Sequence, residues 1–141
     1  VIGITSMKLA TEEIEGMGFA IPINDVKNYV TYLEKGEEIK RPSIGISVIN
    51  TSDRYSLYMN NISVNTSETG VVIAKVESGC SAEKAGLKKG DLITKFDDNK
   101  ITSISTLRYY LYQHKTGDTI KVTYIRDGKE NTLDMKLIEK D

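Results

Sequence analysis

The chain has 141 residues, 39% of them hydrophobic and 28% charged, and its formal net charge is −1. This is the composition of an ordinary globular protein of about one domain. The near-neutral charge argues against a nucleic-acid-binding surface, and no apolar run of the sequence approaches the roughly 20 residues of a membrane helix. The single cysteine, Cys80, excludes a disulfide within the chain, and we expect it to be a small buried or tolerated residue.

The first block, residues 1–35, is predicted to form a strand, a turn, a second strand and a helix. The runs Val1–Ile4 and Met17–Ile21 are short, apolar and β-prone. Asn24 or Asp25 can cap the helix, whose apolar stripe repeats at steps of three and four residues. The stripe consists of Val26, Tyr29, Val30 and Leu33. Two strands and a helix bury too little surface to be stable alone, so we expect this block to be the edge of a larger domain.

Residues 36–42 are charged and are predicted to be a linker to a second block, residues 43–141. The predicted strands of this block are Ser43–Asn50, Gly70–Val76, Asp91–Phe96, Thr119–Arg126 and Asn131–Ile138. The predicted helices are Arg54–Met59, Ser81–Ala85 and a longer one from Ser103 or Ser105 to about Lys115. A tight turn is predicted at Asp97–Lys100, and a hairpin turn at Asp127–Gly128. This order suits a mainly β, α+β fold, in which two helices cap a small, partly open barrel.

Residues 76–93 carry the most specific pattern in the chain. They read VESGCSAEKAGLKKGDLI, which resembles the PDZ signature V-x-x-x-S-P-A-x-x-A-G-L-x-x-G-D-x-I. The pattern describes a fold and no chemistry, because Ala82 and Ala85 let a short helix pack on the sheet and Gly86 ends that helix. Ser81 replaces the usual proline, and we expect a small effect on stability and none on function. The resemblance implies a PDZ domain at residues 43–141.

The first block resembles a different part of a known family. Val1–Thr5, followed by Gly18–Ile23 with the sequence GFAIPI, resembles the last two strands of the trypsin-like domain of HtrA/DegP-type serine proteases. The resemblance implies that residues 1–35 are the end of a protease domain, and that residues 36–42 link it to the PDZ domain. The parent protein would then be a serine endopeptidase.

No catalytic residue can be assigned within the chain itself. A serine protease needs Ser, His and Asp in one constellation, but the sequence has a single histidine, His114, and lacks a Gly-x-Ser-Gly-Gly segment. His114 lies near the end of the predicted long helix, where we expect it to be solvated. We also expect no cofactor and no metal. The chain is therefore interpreted as a binding module and not as a catalyst.

The PDZ resemblance implies a site for the C-terminal end of a peptide, which adds as an extra strand at a sheet edge. Ser43–Ile46 resembles the Y-I-G-I segment of HtrA-type PDZ domains, whose backbone amides capture the terminal carboxylate. Ser43 replaces the usual tyrosine at the rim. Ile44 and Ile46 would line the pocket, with Gly45 between them, and Ser47 and Val48 would pair with the peptide. The alternative interpretation is a core strand that contains one glycine.

The long helix would form the opposite wall of the groove. Counting back from Gly117 places Thr106 and Tyr110 toward the groove, and Leu107 and Leu111 toward the core or the pocket floor. Because Thr106 stands where other PDZ domains have a histidine, we expect no preference for Ser or Thr at the third-from-last ligand position. The apolar lining predicts peptides that end in Val, Leu, Ile, Ala or Phe.

Three functional hypotheses remain open from the sequence. The first is a regulatory, peptide-binding domain of an HtrA-like protease that acts in protein quality control. The second is a PDZ module of another bacterial protease or secretion component. The third is a mainly structural role in holding protease subunits together. The expected partners are the C-termini of misfolded or substrate proteins and other subunits of the parent protease, without nucleic acid or membrane contact. The family resemblance implies an extracytoplasmic location in a bacterium.

Overall fold

The computed structural model describes residues 3–8, 18–23, 26, 30, 33–36, 42–64 and 67–138. The chain divides into two compact units, residues 1–39 and 40–141. In the first unit, strand β1 (Gly3–Lys8) pairs antiparallel with β2 (Gly18–Pro22). Residues 23, 26, 30, 33 and 34 are helical. The predicted helix caps Asn24 and Asp25, and Tyr29 of the predicted stripe, lie outside the described residues.

The second unit is built on an antiparallel sheet with the strand order β3-β4-β5-β7-β8, to which β6 adds beside β5. The strands are β3 (Ile46–Asn50), β4 (Val71–Val76), β5 (Leu92–Phe96), β6 (Asn99–Lys100), β7 (Thr119–Arg126) and β8 (Lys129–Lys136). The mainly β fold class is confirmed, although the sheet is open and does not close into a barrel. The predicted strand Ser43–Asn50 begins only at Ile46, because the residues before it form a loop around Gly45.

Three helices are described in the second unit: α1 (Arg54–Met59), α2 (Ser81–Ala85) and α3 (Ile104–Leu111). The end of α2 matches the expectation, since Gly86 has a φ of 91° in the left-handed region. The predicted end of α3 at Lys115 is wrong, because α3 ends at Leu111. Beyond that residue the amides of Gln113 and His114 bond to carbonyls three residues back, at 3.2 Å each, so the helix tightens and stops.

The main core lies between the sheet and helices α2 and α3. Its fully buried side chains are Val71, Ile73, Ala82, Ile93, Phe96, Ile101, Ile120, Val122, Met135 and Leu137. A second, smaller cluster packs under α1 and consists of Ile49, Leu57, Ile62, Val72 and Leu92. Two layers of apolar side chains therefore fix the sheet against its helices. Within the part of the chain that the structure describes, no helix is long and apolar enough to cross a bilayer.

A partly buried ion pair joins Asp91, directly before β5, to Arg126 at the end of β7. Arg126 donates to both carboxylate oxygens of Asp91 at 2.7 Å, and also to the carbonyl of Gly86 at 2.8 Å. The Asp91 side chain is 1% exposed and accepts a further bond from the amide of Lys88 at 2.7 Å. The hydrogen bond to Asp91 raises the pKa of Arg126 above its ordinary value. Asp91 of the signature, together with Arg126, therefore anchors the end of α2 to the sheet.

Candidate functional site

The loop of residues 43–46, which leads into β3, approaches residues 77–82 very closely. Gly45 has a φ of +70°, which L side chains rarely adopt. A Cβ at this position would lie 2.2 Å from Cys80 Cβ and 2.8 Å from Cys80 Sγ. Both the backbone angle and the lack of space therefore require glycine at this point.

Three successive carbonyls of this loop accept hydrogen bonds from residues 77–82. The carbonyl of Ser43 accepts from the hydroxyl of Ser81 at 3.2 Å, and that of Ile44 from the amide of Ala82 at 3.1 Å. The carbonyl of Gly45 accepts from the amide of Glu77 at 2.9 Å and from the thiol of Cys80 at 3.4 Å. The 77–82 segment thus fixes three consecutive peptide planes of the loop.

Fixing the carbonyls also fixes the amides. In a planar trans peptide the N–H of one residue points opposite to the carbonyl of the residue before it. The N–H groups of Ile44, Gly45 and Ile46 are therefore directed away from residues 77–82. Among the described residues, the Ile44 amide has no hydrogen-bond acceptor, and the Gly45 amide has only a long contact of 3.3 Å to the hydroxyl of Ser43. Adjacent outward amides of this kind form a concave site for an oxygen anion.

Strand β3 continues from this loop and is an edge strand. Of the described strands, only β4 pairs with it. Ser47 is exposed, whereas Ile46 and Val48 are partly buried against the main core. The register shifts between Ser47 and Val48, which marks a bulge in the strand. The unpaired edge presents backbone N–H and carbonyl groups that an added strand can bond.

Helix α3 is joined to the far end of β3. The side-chain oxygen of Asn50, the last residue of β3, accepts from the amide of Ile104 at 2.9 Å. Leu107 and Leu111 are buried in the main core, at 4% and 6% exposure, and Tyr110 packs against it while half-buried. The helix therefore presents an apolar face to the same core that β3 covers with Ile46 and Val48.

Thr106 is engaged in capping α3. Its hydroxyl donates to the carbonyl of Ser103 at 2.8 Å and accepts from the amides of Thr102 and Ser103 at 3.0 and 2.9 Å. The reciprocal contact, from the Thr106 amide to the hydroxyl of Ser103 at 3.2 Å, completes a capping box. Because these bonds occupy the hydroxyl, Thr106 has little capacity left to recognise a polar ligand group.

Most of the residues predicted for the site come together around one core. The main cluster includes Ile44, Ile46, Val48, Leu107, Tyr110 and Leu111. Ser43 and Gly45 belong to the loop of residues 43–46, Ser47 lies on the exposed side of β3, and Thr106 is outside the cluster. Sequence reasoning missed the part of Cys80 and Ser81 in holding the loop. Only the departure from proline at Ser81 signalled that this position is unusual.

The sulfur of Cys80 and the imidazole of His114 make contacts that stabilise the fold. Cys80 is the N-cap of α2, where its sulfur accepts from the amide of Glu83 at 3.4 Å. His114 lies beyond the end of α3, with Nε2 at 3.5 Å from Asp97 Oδ2 and Nδ1 at 4.0 Å from Asp118 Oδ2. Its side chain is 27% exposed. These contacts connect the segment after α3 with the turn after β5 and with the residue before β7.

Comparisons with known proteins find matches over nearly the whole chain. The model of the PDZ domain family matches residues 42–137. The serine protease Do-like HtrA of Lactococcus lactis subsp. lactis (strain IL1403) is 47% identical over 97% of this chain and 35% of its own length. The Do-like HtrA of Bacillus subtilis (strain 168) is 40% identical over 100% of this chain and 32% of its own length. The chain thus spans about a third of the length of these curated relatives.

Solved structures show the same fold. The HtrA-type protease AlgW with decapeptide has a TM-score of 0.77 at 20% identity, covering 100% of this chain and 42% of that one. The serine endoprotease from Yersinia pestis has a TM-score of 0.68 at 25% identity, covering 100% and 44%. The chain therefore belongs to the PDZ domain family, and over nearly its whole length it is similar to bacterial serine proteases of the HtrA type.

Proposed function

We propose that residues 42–138 bind the C-terminal end of an extended apolar peptide. The terminal carboxylate would be bound by the amides of Ile44, Gly45 and Ile46, and the peptide backbone would add beside β3. The observation that carries this proposal is the loop of residues 43–46, in which three consecutive carbonyls accept hydrogen bonds from residues 77–82. Such an arrangement orients three donors before the ligand arrives, so little ordering is needed on binding.

The preference of the site follows from its apolar surroundings. Ile46 and Val48 on β3, and Tyr110 on α3, are partly buried and so keep surface that a ligand can cover. We expect peptides that end in Val, Leu, Ile, Ala or Phe to bind. Thr106 supports the absence of a Ser or Thr preference, because its hydroxyl is occupied within the capping box.

In the longer parent protein, this domain would regulate an HtrA-type serine endopeptidase. The similarity extends through residues 1–35, which we interpret as the end of the protease domain. We propose that the ligands are the exposed C-termini of damaged or substrate proteins, outside the cytoplasmic membrane of a bacterium. A role in subunit assembly is the competing interpretation, and it predicts that deletion of the domain changes oligomer size without changing the response to peptides.

A titration tests the binding proposal directly. The 141-residue chain is titrated into a fluorescently labelled apolar peptide that ends in Val, prepared both as the free acid and as the C-terminal amide. We expect the free acid to bind more tightly by about tenfold or more, since hydrogen bonds to a charged group contribute about 1.5–3 kcal/mol. A peptide of the same composition that ends in Lys is the control for the apolar pocket. Equal affinities of acid and amide would refute carboxylate capture.

A further inference from the structure

Ser81 is the residue at which this chain departs from its family pattern, and it lies directly behind the loop of residues 43–46. It is 1% exposed. Its hydroxyl donates to the carbonyl of Ser43 at 3.2 Å and accepts from the amide of Ile138 at 2.9 Å. One buried hydroxyl therefore joins the loop, the first turn of α2 and the segment that follows β8.

We infer that Ser81 is a positioning residue for the carboxylate-binding amides, and that its hydroxyl sets how strongly the loop favours a free C-terminus. The inference rests on the proposed peptide binding. The carbonyl of Ser43 and the N–H of Ile44 belong to one planar peptide unit, so the bond from Ser81 fixes the direction of that N–H. Without the hydroxyl, the carbonyl loses this donor, and the peptide unit is held only by the bonds of the neighbouring residues and by the antiparallel bridge of Ser43 to Ile138.

The proline of the family pattern cannot supply this bond, because it has no hydroxyl. The position nevertheless accommodates a proline. Ser81 is the first residue of α2, where proline is well tolerated and the amide has no acceptor within the helix. Cys80 before it is extended, with φ −78° and ψ 173°, as a residue preceding proline prefers. Ser81→Pro therefore removes the hydroxyl while preserving the helix, and the lower entropy of the unfolded chain with proline offsets part of the cost of the two lost hydrogen bonds.

The experiment compares four forms of the 141-residue chain: the natural sequence, Ser81→Ala, Ser81→Pro and Ser78→Ala. Ser78 is a matched control, because it lies in the same segment but is exposed, and its hydroxyl contacts Glu83 at 3.5 Å and not the loop. Each form is titrated with the labelled peptide ending in Val, as free acid and as amide, and its thermal unfolding is recorded.

Both Ser81 variants should bind the free acid about 3- to 10-fold more weakly, corresponding to one lost hydrogen bond, and bind the amide as the natural sequence does. Ser81→Pro should unfold at a higher temperature than Ser81→Ala, because proline lowers the entropy of the unfolded chain, and Ser78→Ala should match the natural sequence in every respect. Unchanged acid-to-amide ratios in both Ser81 variants would overturn the inference, as would an equal loss of acid and amide binding. Equal acid and amide binding by the natural sequence would instead refute the proposed function.

Discussion

The contact between Gly45 and Cys80 allows a quantitative test of the loop. Gly45→Ala introduces a Cβ that overlaps Cys80 Cβ at 2.2 Å and Sγ at 2.8 Å. It also places an L side chain at a φ of +70°. The backbone angle costs about 1–2 kcal/mol, and overpacking at a close contact costs about 1–3 kcal/mol. The free energy of unfolding should therefore fall by about 2–5 kcal/mol.

A double-mutant cycle separates these two contributions. Cys80→Gly removes both atoms that the new Cβ would meet, so Gly45→Ala should cost only the backbone part, about 1–2 kcal/mol, in that background. Any loss of the N-cap of α2 cancels, because it is common to both proteins that carry Cys80→Gly. Urea denaturation of the four proteins gives the coupling energy. An equal cost of Gly45→Ala in both backgrounds would refute the steric explanation.

Three further predictions concern the supporting structure. Arg126→Met leaves the buried carboxylate of Asp91 without its ion-pair partner. The free energy of unfolding from urea denaturation should fall by about 3 kcal/mol, the lower end for a broken buried pair, because the guanidinium is partly exposed. A loss near zero would contradict the role of the pair. Leu111→Ala should cost about 2–5 kcal/mol, whereas Met59→Ala, at an exposed position of α1, should change stability by less than about 0.5 kcal/mol; similar effects of the two changes would contradict the assigned core. The backbone amide of Ser56 in α1 donates to the carboxylate of Asp53 and lowers its pKa below the ordinary value of 3.8. The stability that this carboxylate adds is therefore present above pH 3.8 and is lost as the pH falls through the lowered value. Asp53→Asn should remove that part of the acid dependence in thermal unfolding, and an unchanged curve would exclude Asp53 as its source.

Local patterns in the sequence were sufficient to predict most helices and strands of the second unit. The alternation of strands with Gly and Asp turns predicted β4, β5, β7 and the return strand within a few residues. Gly86 marked the end of α2 because a left-handed residue is needed there. The end of α3 was missed because the first helix-breaking residue after Leu111 is Gly117. The helix stops where its last turn tightens, and the sequence carries no residue that announces this change.

The candidate site was only partly predictable, for a physical reason. The glycine between two isoleucines is visible in the sequence, whereas the edge position of the strand that follows was implied only by the family resemblance. The contacts that orient the loop join residues 32 to 38 positions apart, from Gly45 to Glu77 and from Ser43 to Ser81. Periodicity and turn chemistry do not report such contacts. Ser81 was therefore expected to matter little, although its hydroxyl is buried and bonded on both sides.

The most direct test of carboxylate capture is a map of backbone amide chemical shifts on peptide binding. The isotopically labelled chain is titrated with a peptide ending in Val, first as the free acid and then as the amide. We expect the free acid to shift the amides of Ile44, Gly45 and Ile46 most strongly, with smaller shifts along β3, and the amide form to leave those three nearly unchanged. Largest shifts at α1, or identical shifts with both peptides, would contradict the account.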